Sequence, residues 1–170
     1  MNLKAVAGLA LALGIAGCAA PQKPVQLTTS FNATEAQRLT QPGANIVSGS
    51  ALIRQNGGGI VTCAGLSIML IPHTAYAAER IRAIYGNTER GSNPIQRQLQ
   101  FVPDDTRYLQ ITRQTVCDAQ GKFTFNDVAD GRFYLISVIN WRVGNAVQGG
   151  SLMQAVSVKD GGSRDVVLSP

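Results

Sequence analysis

His73 is the one histidine of the 170-residue chain. It follows Pro72 at what reads as the end of a β-strand, where side chains often meet substrates. Its chemistry would be general-base catalysis, with Asp104 or Asp105 orienting the imidazole. Ser67, Ser92 or Ser151 would then act as nucleophile without the G-x-S-x-G turn that activates a serine, so an exposed loop histidine is the simpler assignment. One histidine and two cysteines expected to be bonded do not make a zinc site. Asp104, Asp105, Asp118, Asp127 and Asp130 offer oxygens of the kind Ca²⁺ takes, but no D-x-D-x-D-G loop frames them. Turn capping accounts for Asp118, Asp127 and Asp130. Asn56–Gly59 is glycine-rich yet lacks the Gly-Lys-Ser/Thr ending of a phosphate loop. No catalytic residue, metal ligand or cofactor is expected.

Two further groups have binding chemistry. Trp141 is the sole tryptophan; with Tyr76, Tyr85 and Tyr108 it would make an aromatic platform for a sugar, although filling the core or covering one sheet is the simpler role. Arg80, Arg82, Arg90 and Arg97 would make an anion-binding face, against the simpler alternative of solvated arginines. We take Arg80, Arg82, Arg90 and Trp141 together as the expected binding surface.

The elements that must position these residues are mostly strands. Ile46–Arg54, Ile60–Cys63, Leu66–Ile71, Tyr108–Cys117, Lys122–Phe125, Arg132–Trp141, Leu152–Val158 and Arg164–Leu168 read as strands, the second and third counted together or apart, separated by turns rich in Gly, Asn and Asp. Leu66–Ile71 and Arg132–Trp141 are apolar on both faces and so are expected to be central. Ala75–Tyr85 has a helical period, with Thr74 to cap its start and Gly86 its end. Thr34-Glu35-Ala36-Gln37 fits a capping box for a short helical turn over Glu35–Thr40. Asn87–Pro94 and Gly144–Gly150 are expected to be loops. Short strands at this spacing predict an all-β sandwich of about seven strands, with one short helix in the insertion Pro72–Arg107 packed outside the sheets.

Composition agrees. With 45% hydrophobic and 15% charged residues, the chain has enough apolar surface to exclude a wholly disordered protein. Three cysteines are too few for a disulfide-dense miniprotein.

The N-terminus carries an address. Lys4 precedes an uncharged apolar run from Ala5 to Gly17, 13 residues long; at roughly 1.5 Å per residue this cannot cross about 30 Å of hydrocarbon. It fits a secretory h-region. The run ends in Ile15-Ala16-Gly17-Cys18, which resembles a bacterial lipobox. The resemblance implies cleavage after residue 17, a lipidated Cys18 and a membrane anchor. With the non-acidic Ala19 next, it implies the outer membrane, facing the periplasm. Residues 18–44 would hold the lipidated end and a tether, extended over Ala20–Pro24, and residues 45–170 the folded domain. The net charge of +5 would suggest nucleic acid in a cytosolic protein. Export makes nucleic acid an unexpected partner and leaves anionic headgroups or cell-wall carboxylates, or simply scattered surface arginines.

The passage from Asp118 through Asp-Ala-Gln-Gly-Lys-Phe-Thr-Phe-Asn-Asp-Val-Ala-Asp-Gly-Arg-Phe-Tyr-Leu to Leu135, with Ala64–Pro72, Thr74 and Tyr76, resembles the carboxypeptidase regulatory-like, or transthyretin-like, β-sandwich family. That resemblance covers Ala44 to Leu168 and implies a structural signature: Gly121 and Gly131 for turns, Phe123 and Phe125 on one strand face. In the enzymes that lend the family its name, the module is an accessory to a separate catalytic domain. Cys63 and Cys117 are not part of that signature. With Cys18 carrying lipid in an oxidising compartment, we expect a Cys63–Cys117 disulfide; a redox pair is the rival, without a C-x-x-C to tune it. The expected function is a non-catalytic, lipid-anchored envelope module that meets a partner protein or cell-wall polymer. The alternatives are a hydrolase at His73 and a glycan-binding module at Trp141.

Overall fold

The computed structural model describes residues 23–170, so Cys18 and the leader lie outside the described residues. In chain order the elements are β1 (Val25–Gln26), α1 (Ala33–Thr40), β2 (Asn45–Arg54), β3 (Ile60–Thr62), β4 (Ser67–Pro72), α2 (Ala75–Tyr85), β5 (Arg90–Pro94), β6 (Phe101–Val102), α3 (Arg107–Gln110), β7 (Arg113–Val116), β8 (Lys122–Val128), β9 (Gly131–Val143), β10 (Ala146–Val158) and β11 (Ser163–Leu168). One sheet has the order β5-β10-β9-β4-β7. In the other, β2 is flanked by β11 in parallel and by β8 antiparallel, and its last residues pair with β3. The result is an all-β sandwich with a third, helical layer.

Period-two alternation decides what each layer buries. Phe133, Leu135 and Ile139 of β9 and Ile68 and Leu70 of β4 point between the sheets, against Val47, Phe123, Phe125 and Val166. Tyr134 and Ile136 of β9 and Ile71 of β4 point the other way, into a second core under α2 with Tyr76, Ala77 and Ile81. A strand apolar on both faces must be covered on both, and β4 and β9, each flanked by strands on either side, send alternate residues into the two cores. Helix α2 begins where Thr74 Oγ1 accepts from the Ala77 amide and ends at Gly86, whose φ of 81° suits the left-handed C-cap.

Several expected boundaries are corrected. Among the described residues, eleven strands, two of them only two residues long, replace about seven, and three helices replace one helix and a short helical turn. Asn87–Pro94 contains the edge strand β5 rather than a loop. Tyr108 belongs to the turn α3, and only Arg113–Val116 of Tyr108–Cys117 is strand. Gly144–Gly150 is not a loop: β9 and β10 form one long hairpin that turns between Val143 and Ala146. Strand β8 runs to Val128, leaving a shorter turn than Asn126–Gly131. Helix α1 is capped by Asn32 Oδ1, which accepts from the Thr34 and Glu35 amides, instead of by a Thr34 box; Glu35 Oε1 accepts from the Ala75 amide. Packing also begins before Asn45, since β1 pairs with β6 and Leu39 of α1 enters the main core.

Cys63 and Cys117 are bonded, with Cα atoms 5.7 Å apart. They follow β3 and β7, so the bond ties an edge of one sheet to an edge of the other.

Candidate functional site

The long hairpin creates the site. Strands β9 and β10 are each 13 residues, whereas β2 opposite is 10. Along the inward face of β9, Ile139 is still fully buried in the core, but Trp141, two residues on, belongs to neither core and is half-buried. Its cross-strand partner is Gln148. Here the inner face of the hairpin becomes the wall of a cleft of about 240 Å³. The end of β2 supplies Arg54 and the turn after it Gln55 and Asn56; β5 supplies Ser92 and Asn93; Pro170 closes one side.

Backbone contacts hold these walls. Gln55 N–H donates to the Gly59 carbonyl at 2.8 Å and Gly58 N–H to the Gln55 carbonyl at 2.9 Å, which fixes the β2–β3 turn. A Cβ on Gly150 would lie 2.4 Å from the Asn93 carbonyl oxygen, so glycine is what lets β5 approach β10. Ile95 N–H donates to the Gly149 carbonyl at 3.1 Å, and the Gln96 side-chain amide to the Val147 carbonyl at 3.0 Å. Asn93 is buried and donates to the Arg97 carbonyl at 2.7 Å. Tyr85 of α2 reaches the same wall through a 3.0 Å hydrogen bond to Ser151, and burial pushes its phenol up to about 12. The cleft thus combines one aromatic face with amide and hydroxyl groups. Such a set can stack the apolar face of a pyranose and hydrogen-bond its hydroxyls.

The expected surface of Arg80, Arg82, Arg90 and Trp141 is not brought together. The Arg80 guanidinium lies 4.2 Å from the Phe101 ring centroid and 4.7 Å from that of Tyr108, and pairs with Asp104 at 2.5 Å. It is therefore committed to the second core rather than offered to a ligand. Arg82 and Arg97 are exposed. Arg90 donates to the Ser169 carbonyl at 3.1 and 3.2 Å, which holds the residue beside Pro170 at the cleft edge. The aromatic platform is corrected too. Tyr76 and Tyr108 are buried beneath Arg80, and of the tyrosines only Tyr85 touches the Trp141 side of the molecule, through Ser151. Sequence patterns do not single out Gln148, Asn93 or Arg54; the inward period-two spacing from Ile139 to Trp141 is a signal for the tryptophan alone.

His73 stacks on Tyr134, with ring centroids 4.9 Å apart, and its own amide donates to the Arg132 carbonyl at 3.0 Å. Burial lowers its basicity below the ordinary imidazole value. The carboxylates expected to orient it are engaged elsewhere, Asp104 with Arg80 and Asp105 with Arg107. Asp118 Oδ1 accepts from the Gln120 and Lys122 amides, as a turn cap does. Asp130 Oδ1 accepts from the Asn45 side chain and the Asp160 amide. Among the described residues, no three His, Cys, Asp or Glu side chains converge as metal ligands, and no helix is long and apolar enough to cross a membrane.

No family model and no curated protein matches the chain. Among solved structures, it is similar to the crystal structure at 2.61 Å of a proposed carbohydrate-binding protein from Pseudomonas aeruginosa. The TM-score is 0.70 at 21% identity, over 84% of this chain and 99% of that one. At that identity the likeness shows a shared fold.

Proposed function

We propose that the protein is a non-catalytic, lipid-anchored module of the bacterial outer membrane, facing the periplasm, that binds carbohydrate in the Trp141 cleft. One observation carries this: the single tryptophan lies outside both hydrophobic cores, half-buried, among the amides of the cleft. Tryptophan is the largest apolar side chain, and leaving its face open forfeits burial worth a few kcal/mol. The fold neighbour described as a carbohydrate-binding protein is compatible with this use of the sandwich. We assign the sandwich to the transthyretin-like, carboxypeptidase regulatory-like type on the Asp118–Leu135 signature, and anchoring to lipid on Cys18.

The test is fluorescence titration of the protein purified without its leader, using chito-oligosaccharides, peptidoglycan fragments and neutral hexose oligomers. Since Trp141 is the sole tryptophan, the emission reports the cleft directly. A saturable shift with at least one class supports the function, with loss of binding by calorimetry in Trp141→Ala. No shift across the panel refutes it.

A further inference from the structure

We propose that the cleft selects acidic saccharides: a carboxylate-bearing sugar whose ring lies on Trp141 and whose carboxylate pairs with Arg54. This rests on the carbohydrate function above and narrows it to a ligand class. Arg54 is the only charged side chain lining the cleft, and no Asp or Glu side chain lines it. It stands at the end of β2, exposed, where the hydrogen-bonded turn Gln55–Gly59 follows.

Several other basic groups are already engaged, and the exposed Arg82 and Arg97 do not line the cleft. The ion pairs of the described residues use Arg80, Arg107, Arg132 and Lys159, and Arg90 is bonded to Ser169. Arg54 takes part in none of these contacts. A guanidinium presents a planar fork that matches a carboxylate with two parallel hydrogen bonds. Gln55 and Asn56 beside it, and Gln148 across the cleft, add neutral groups for ring hydroxyls. A space of about 240 Å³ lies below the roughly 300–1,000 Å³ of pockets that enclose drug-sized ligands, which suits one or two sugar rings. The net charge of +5 becomes +4 once Lys4 leaves with the leader, and a positive chain also attracts anions at longer range.

Uronic acids and the lactyl group of muramic acid both present a free carboxylate on a sugar ring. Calorimetry would compare tetragalacturonate, its full methyl ester, and a muramic acid-containing disaccharide. We expect the free acid to bind about fivefold more tightly than the neutral ester at low salt, a modest margin because the pair is exposed, and the margin to shrink with added salt. Arg54→Gln should erase the margin, so that acid and ester bind the variant with equal affinity, with the fold checked by circular dichroism. Tighter binding of the muramic acid disaccharide than of the uronate would assign the source to the cell wall, the reverse to an acidic polysaccharide; either supports the proposal. Equal affinity for acid and ester, or a margin that survives Arg54→Gln, overturns it and leaves carbohydrate binding standing. Failure of every saccharide to bind overturns both.

Discussion

Removing the Cys63–Cys117 bond perturbs the sandwich at a defined point. The cysteines are 54 residues apart, and loop closure of that length removes unfolded-chain entropy equivalent to about 4 kcal/mol at 25 °C. Both side chains are buried in the main core, Cys63 completely, so alanine is the appropriate replacement; serine would bury a hydroxyl. The bond joins the β3 edge of one sheet to the β7 edge of the other, and both edges rest on few other pairings: β3 contributes three residues and β7 four. Cys63→Ala/Cys117→Ala should therefore lower the unfolding free energy by about 4 kcal/mol, a large share of the roughly 5–15 kcal/mol of a typical domain. With a urea slope of about 2 kcal/mol per molar, the midpoint falls by about 2 M. Urea titration followed by far-ultraviolet circular dichroism reads this, with dithiothreitol-treated wild type as a parallel sample. A loss below about 1 kcal/mol, or superimposable curves with and without reductant, would refute the reasoning.

Other outcomes follow from single residues. Trp141→Ala should cost under about 1 kcal/mol in chemical denaturation, because the ring lies outside both cores; a loss of the roughly 3–5 kcal/mol expected for a core aromatic would return Trp141 to a packing role. Gly49→Ala should lower Tm sharply, since its Cβ would lie 2.0 Å from the Val166 carbonyl oxygen and 3.0 Å from the Phe123 ring, whereas Gly57→Ala, with nothing within 4 Å, should change it little. Glu79 accepts from the amides of Thr28 and Thr29 at 2.8 Å, and those bonds, led by the Thr28 amide, hold its carboxyl at about 2 against an ordinary 4.5. The depressed value means that the contribution to stability is complete above pH 4.5 and lost as pH falls through about 2; the Thr28 and Thr29 amide resonances should titrate with a midpoint near 2, and a midpoint near 4.5 would contradict the clasp. Cys18→Ala should move the protein from the membrane to the soluble fraction of the envelope, and unchanged membrane retention would remove the lipid anchor from the account.

Much of the architecture was legible because burial leaves a periodic trace. Leu66–Ile71 and the Phe133–Ser137 part of Arg132–Trp141 are covered by the opposite sheet on one side and by the helical layer on the other, whereas Val138 and Asn140 further along β9 are exposed. Thr74 and Gly86 marked α2 because an oxygen must meet its first amides and a residue with positive φ must end it. The trace failed where geometry served something other than burial. Arg90–Pro94, an edge strand without alternation, carries no hydrophobic signal. Gly149 and Gly150 imitate a loop, although Gly150 lets β5 come close and Gly149, whose Cβ would lie 2.1 Å from the Ile139 carbonyl oxygen, lets β9 do so. The site was only half visible. In the folded strand, period two from Ile139 puts Trp141 on the inward face, but nothing local says that β2 stops short of it, and that shortfall turns a core position into a cleft wall. Likewise Arg80 resembles any surface arginine until the chain returns through Phe101, Asp104 and Tyr108 to enclose it.

The most direct test of carbohydrate binding is an ¹H–¹⁵N spectrum of the folded domain during a saccharide titration, because one tryptophan gives one indole N–H resonance. The account predicts that this resonance shifts in a saturable way, together with the side-chain amides of Gln148 and Asn56 and the backbone amides of Gly149 and Gly150. Shifts confined to the α2 face, or an indole resonance that stays fixed while a saccharide saturates the protein elsewhere, would contradict it.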